Sequence, residues 1–147
     1  MVNPITFVGI GEVLYDVFED GTETLGGAPL NFAVHAHQLA SLFGIGDGTI
    51  VSCINSDRRG YKILDALHRL KMSTCYIGKD SGHPTGLVSV FMTNGEPGYQ
   101  IEAGAAWDYI KDRPSLKDLA GQCHTAIASR LAEPGSADQA ATLKRAA

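Results

Sequence analysis

Short apolar runs alternating with helix-patterned segments constrain this chain more than any other feature. Residues 5–11, Ile-Thr-Phe-Val-Gly-Ile-Gly, and 49–54, Thr-Ile-Val-Ser-Cys-Ile, have the length and content of strands buried on both faces. Between them, 29–43 reads as a helix. Phe32, Ala33, Ala36, Leu39, Ala40 and Phe43 recur at helical spacing, Pro29 suits a first turn, and Gly44 stops the helix. Asp57 is placed to cap a second helix running through Ile63, Leu64, Leu67 and Leu70. Residues 74–77 predict a third strand, 115–120 a short helix, 123–128 a further buried strand, and 136–146 a terminal helix capped by Ser136. Strands that alternate with helices in this way predict an α/β fold with a parallel sheet and crossover helices.

Two stretches interrupt the alternation. Residues 13–18 and 22–25 read as a small flanking sheet around Glu19-Asp20-Gly21. Residues 87–93 and 98–103 read as a hairpin around Asn94-Gly95, a favoured turn pair. Strand alternation puts Val88, Val90 and Met92 on one face with Tyr99 and Ile101, and Ser89 and Phe91 on the other with Gln100 and Glu102. Such a hairpin packs its apolar side on protein and turns its polar side to a ligand, or it is simply half-exposed.

Composition narrows the function classes. The 147 residues are 44% hydrophobic and 19% charged, the balance of a globular domain. The net charge is −4, and the only basic pairs are Arg58-Arg59 and Lys144-Arg145, so no nucleic-acid partner is expected. No apolar run is long enough to cross a membrane, and the start has no charged leader followed by an apolar stretch; a cytoplasmic protein with no membrane partner is the expectation. Cys53, Cys75 and Cys123 are odd in number, each in a short apolar run, and read as buried free thiols. His35 and His37 lie two apart on a helix and point about 200° apart, so no metal site is expected there.

The candidate site is Gly26-Gly27-Ala28-Pro29-Leu30-Asn31, preceded by Asp16. Adjacent glycines let backbone approach a ligand closely, Asn31 can donate and accept on the first helical turn, and the Asp16 carboxylate can hold two neighbouring hydroxyls. Together they suit a polyol; a plain strand-to-helix turn with a surface Asp would have the same composition. Gly9-Ile10-Gly11 is a poor dinucleotide fingerprint, since Leu14 stands where the third glycine belongs and strand-like residues follow. No Gly-Lys-Ser or Gly-Lys-Thr phosphate loop exists.

Five segments in order carry a resemblance: 11–16 (Gly-Glu-Val-Leu-Tyr-Asp), 26–31, Asp57 with Gly60, Pro84-Thr85-Gly86, and Asn94-Gly95-Glu96-Pro97 leading through Tyr99 to Ala106-Trp107-Asp108. In these the chain resembles the amino-terminal half of the ribokinase-like (PfkB) sugar kinases, fructokinases most closely. The resemblance implies that 1–147 is the amino-terminal half of one ribokinase-like domain, with β lid segments at about 13–25 and 85–104. It implies transfer of the ATP γ-phosphoryl to a hydroxyl of fructose or a related hexose. Asp16, Gly26, Gly27, Asn31, Gln100 and Glu102 would then bind the sugar. The lid would offer a surface for a homodimer. ATP and Mg belong to the complete enzyme, because no Gly-Ala-Gly-Asp run, and hence no catalytic base, occurs here; the chain alone is expected to be inactive. Asn55-Ser56 departs from the family's usual glycine and acidic pair. A non-catalytic sugar-binding or interaction module, and a nucleoside kinase of the same fold, are the alternatives.

Overall fold

The computed structural model describes residues 4–129. Its main sheet contains β1 (Ile5–Gly11), β4 (Gly46–Ile54), β5 (Ile77–Lys79) and β8 (Thr125–Ser129), all parallel, in the order β5-β4-β1-β8. Helices α1 (Ala28–Phe43), α2 (Arg58–Arg69) and α3 (Pro114–Gln122) lie in its connections. The expected parallel α/β sheet with crossover helices is therefore present. Ile50, Ile54, Ile63, Leu67, Leu30 and Ala33 make one core between the sheet and α1–α2. Val8, Val51 and Leu119 make the other, toward α3. Helix α1 ends as its sequence requires: Gly44 takes φ 64°, a left-handed conformation that costs a glycine little, and the Ile45 N–H returns to the Ala40 carbonyl at 3.0 Å. Between the helix ends and β4, the buried His37 ring bridges the Asp47 carboxylate and the Leu70 carbonyl, whereas His35 is exposed.

A second sheet joins both interrupting stretches. β2 (Leu14–Phe18) and β3 (Glu23–Gly26) pair antiparallel, β6 (Gly86–Thr93) and β7 (Glu96–Ile101) pair antiparallel, and β2 pairs with β6 in parallel. The order is β3-β2-β6-β7. Thr93 opposite Glu96 leaves Asn94-Gly95 as a two-residue loop with φ 53° and 83°, the left-handed pair that suits the twist of a hairpin.

Several local expectations are corrected. Thr74–Tyr76 is a turn closed by the Ile77 N–H on the Thr74 carbonyl at 3.0 Å, so the strand itself begins at Ile77, opposite Ser52, whose N–H donates to the Tyr76 carbonyl at 3.4 Å. Cys75 in that turn is exposed and Cys123 only partly buried; Cys53 alone is buried. β8 begins at Thr125 rather than 123, and its residues 125–128 are exposed at one edge of the sheet formed by the described residues. The helix expected at 136–146 lies outside the described residues.

Candidate functional site

Strand β1 ends in Gly11, and the chain turns through the buried Glu12 and Val13 into β2. Asp16 is the middle residue of that strand. Register partners share a face, so Leu14, Asp16 and Phe18 stand on one side with Gly26 and Thr24 of β3, Val88 and Val90 of β6, and Tyr99 and Ile101 of β7. Tyr15, Val17 and Leu25 on the opposite side pack into the core. That side is held down by Glu23, whose carboxylate accepts from Arg59 Nη2 at 2.8 Å and Lys62 Nζ at 2.9 Å on α2. Hydrogen bonds from Lys62 and Arg59 keep the Glu23 carboxyl below its ordinary value.

The half-buried Asp16 carboxylate makes no hydrogen bond or ion pair with the described residues, and burial raises its pKa. Gly26 lies beneath it: a Cβ there would stand 2.8 Å from Asp16 Oδ2. Gly27 is the residue before α1, with φ 114°, and a Cβ there would run into the Glu12 carbonyl oxygen. Gly27 is therefore demanded by packing and by its φ, while the buried Gly26 brings backbone directly against the Asp16 carboxylate. Asn31 follows one turn on, exposed, its N–H on the Gly27 carbonyl at 2.9 Å. The arrangement offers a charged acceptor and, at a helix N-terminus, an exposed amide, a pair suited to hydroxyls.

Gln100 and Glu102 are not brought to Asp16. Gln100 pairs with Ser89, which puts it on the opposite face, and Glu102 follows β7 with its N–H on the Leu87 carbonyl at 3.1 Å; both are exposed. The face expected to meet a polar ligand is thus the one turned from Asp16. The face that Asp16 shares is largely apolar, with Val88 and Val90 buried and Phe18 (40%), Met92 (56%), Tyr99 (63%) and Ile101 (42%) exposed. Sequence reasoning missed Tyr99 as a neighbour of that face, because only the β2–β6 pairing relates the two stretches. It also gave no role to Glu12, buried beneath Gly27, although the Gly11-Glu12 doublet marks it.

The second sheet is rooted by a polar network. Asp57 caps α2, its Oδ1 accepting from the Gly60 N–H and the Thr85 hydroxyl, both at 2.7 Å, while Oδ2 accepts from the Thr85 N–H at 2.9 Å. Thr85 Oγ1 accepts from the Asn55 N–H at 3.0 Å, and Asn55 Nδ2 donates to the His83 carbonyl at 2.7 Å. Burial pushes the Asp57 carboxyl up, but the Gly60 and Thr85 hydrogen bonds outweigh it and leave the pKa lowered. Next along the chain, Gly86 accepts the buried Trp107 ring so closely that a Cβ would stand 2.8 Å from it.

A scan of protein-family models and a sequence search of curated proteins return no match. Comparison with solved structures does. An uncharacterized sugar kinase from Pyrococcus horikoshii in complex with ATP is 26% identical over 70% of this chain and 35% of that one, with a TM-score of 0.57. A fructokinase with bound ATP from Xylella fastidiosa is 23% identical over 84% of this chain and 38% of its own, at 0.66. A 2-dehydro-3-deoxygluconokinase from Thermotoga maritima is 16% identical over 97% of this chain and 46% of its own, at 0.75. The chain spans between about a third and a half of the length of these three proteins. No helix among the described residues is long and apolar enough to cross a membrane. With its parallel sheet, crossover helices and flanking four-stranded sheet, the chain has the ribokinase-like fold of PfkB-type sugar kinases.

Proposed function

We propose that this chain carries the sugar-gripping half of a carbohydrate kinase, acting on fructose or a related hexose. The observation that supports the reading best is the half-buried Asp16 carboxylate, without a partner among the described residues, against Gly26-Gly27 and with Asn31 one turn into α1. A carboxylate without a protein partner, raised in pKa by burial, gains by accepting hydroxyls. The second sheet serves as the lid: its Asp16 face is apolar and partly exposed, so it gains from closing over the sugar or against a second copy in a homodimer. Gln100 and Glu102 stand exposed at the far strand of the other face, the side on which Tyr15, Val17 and Leu25 pack into the core.

The phosphoryl donor is ATP with Mg in the complete enzyme. The sequence has neither a Gly-Lys-Ser/Thr nor a Gly-Ala-Gly-Asp run, so the residues in hand do not fit a nucleotide and no chemical step is assigned to them. Their part is to bind and orient the hydroxyls.

Calorimetric titration of the 147-residue chain tests this. Fructose or a related hexose binds, adenosine does not, and Asp16→Ala weakens the sugar by about 30- to 1,000-fold, the loss of roughly 2–4 kcal/mol of charge-assisted hydrogen bonding, with unchanged circular dichroism. Equal affinity in the Ala variant, or no sugar binding by the parent chain, refutes the assignment. Adenosine binding favours the nucleoside-kinase reading. A coupled ADP-release assay with fructose, ATP and Mg²⁺ is expected to show no turnover; a rate within about tenfold of a complete fructokinase would reveal phosphate chemistry in this chain, since a base alone is worth about 10²–10⁴.

A further inference from the structure

A second crevice lies away from Asp16, between the β4–β5 edge of the main sheet and the extended segment that follows the 106–109 turn of helix. It encloses about 170 Å³, and its walls include Cys53, Gly78, Lys79, Tyr109, Lys111 and Arg113. Three of these are cations, and none of the three pairs with a carboxylate among the described residues. The Lys79 ammonium lies 6.0 Å from the centroid of the Tyr61 ring. The nearby carboxylates are engaged elsewhere. Asp80 Oδ1 accepts from the Gly82 N–H at 2.7 Å and contacts His83 Nδ1 at 3.1 Å, and Asp112 stands 3.6 Å from Lys117.

We propose that this crevice is a binding site for a small oxyanion, a phosphate or carboxylate group. Like charges lining one cleft repel one another in the folded protein, a cost that an anion removes. Two of the cations act on the Cys53 thiol in the wall, against the opposing charge of Asp80. Burial pushes the Cys53 thiol up in pKa, and Asp80 adds to that, while Lys111 and Arg113 both pull it back down. Gly78 packs closely beside the thiol, since a Cβ there would stand 3.3 Å from Cys53 Sγ. The volume suits an orthophosphate or the charged end of a small metabolite and not a nucleotide. The crevice also reaches the root of the second sheet: the Tyr109 ring stacks on His83 at 3.5 Å between centroids, and the His83 carbonyl holds Asn55.

Amide and histidine-ring NMR on the full chain, titrated with inorganic phosphate, a three-carbon phosphate ester and a dicarboxylate, tests the site and separates its sources. At least one probe is expected to give saturable shifts at Gly78, His83 and Tyr109–Arg113, with a Kd on the order of 1 mM. Lys79→Ala, Lys111→Ala and Arg113→Ala should each weaken it by about fivefold or more, as expected for loss of one charge-assisted contact. Lys71→Ala, at the C-terminal end of α2, should leave it unchanged. Arg113→Lys keeps the charge and guards against a folding defect. Shifts reproduced by chloride at equal ionic strength, shifts unaltered in all three Ala variants, or no saturation with any probe overturn the proposal.

Discussion

Asp57 is the residue whose loss should couple helix capping to the second sheet. Its carboxylate accepts three hydrogen bonds, from the Gly60 N–H and from both the N–H and the hydroxyl of Thr85. Loss of a helix cap costs about 0.5–2 kcal/mol. Thr85 is 3% exposed, so its N–H and hydroxyl would be left short of a partner, at about 1–3 kcal/mol for such a group. These losses share one site and do not add fully. Asp57→Ala should therefore destabilise by about 2–4 kcal/mol, measured by urea unfolding followed by circular dichroism. Asp57→Asn should lose about half of that, because its amide can still accept from Gly60 but meets the Thr85 N–H with a donor. Hydrogen exchange in β6 should speed up in both. The pH dependence follows from the lowered pKa. A carboxyl depressed in the folded state contributes stability above its unfolded value of about 4, and loses it as pH falls through the folded value. The variants should then lose less stability than the parent on acidification below about pH 4. An Asp57→Ala protein within about 0.5 kcal/mol of the parent, with unchanged exchange in β6, would refute the network's role.

Lys71 takes φ 59° just after α2, where its N–H meets the His68 carbonyl at 2.9 Å and the Met72 N–H meets Leu67 at 2.9 Å, so Lys71→Gly should raise stability by about 0.5–1 kcal/mol in the same urea assay by relieving the left-handed penalty. Gly86→Ala drives a methyl into Trp107 and Leu14 at 2.8–3.0 Å and should cost about 1–3 kcal/mol, with a shift in Trp107 fluorescence; an unchanged midpoint and spectrum would mean that the ring moves freely.

Much of the main fold was legible because it rests on local physics. The runs at 5–11 and 49–54, the helical spacing from Pro29 to Phe43, the stop at Gly44 and the cap at Asp57 each follow from side-chain patterning and backbone preference within a few residues. The turn follows from the Asn94-Gly95 pair, and the two faces of its hairpin follow from alternation. The elements Asp16, Gly26, Gly27 and Asn31 were legible too, since chemistry and spacing are properties of the chain. What they face was not. Only the tertiary structure pairs β2 with β6 across some 70 residues, in parallel, and that register decides that Asp16 shares its side with Val88 and Tyr99 while Gln100 stands on the other. A hairpin's alternation names two faces but cannot say which one meets the rest of the protein, because that is set by contacts between segments distant in sequence. The same limit explains Thr74–Tyr76, where β-rich composition lost to a turn that closes just ahead of the strand at Ile77, and β8, whose apolar residues are exposed because burial belongs to a strand's neighbours and not to its sequence.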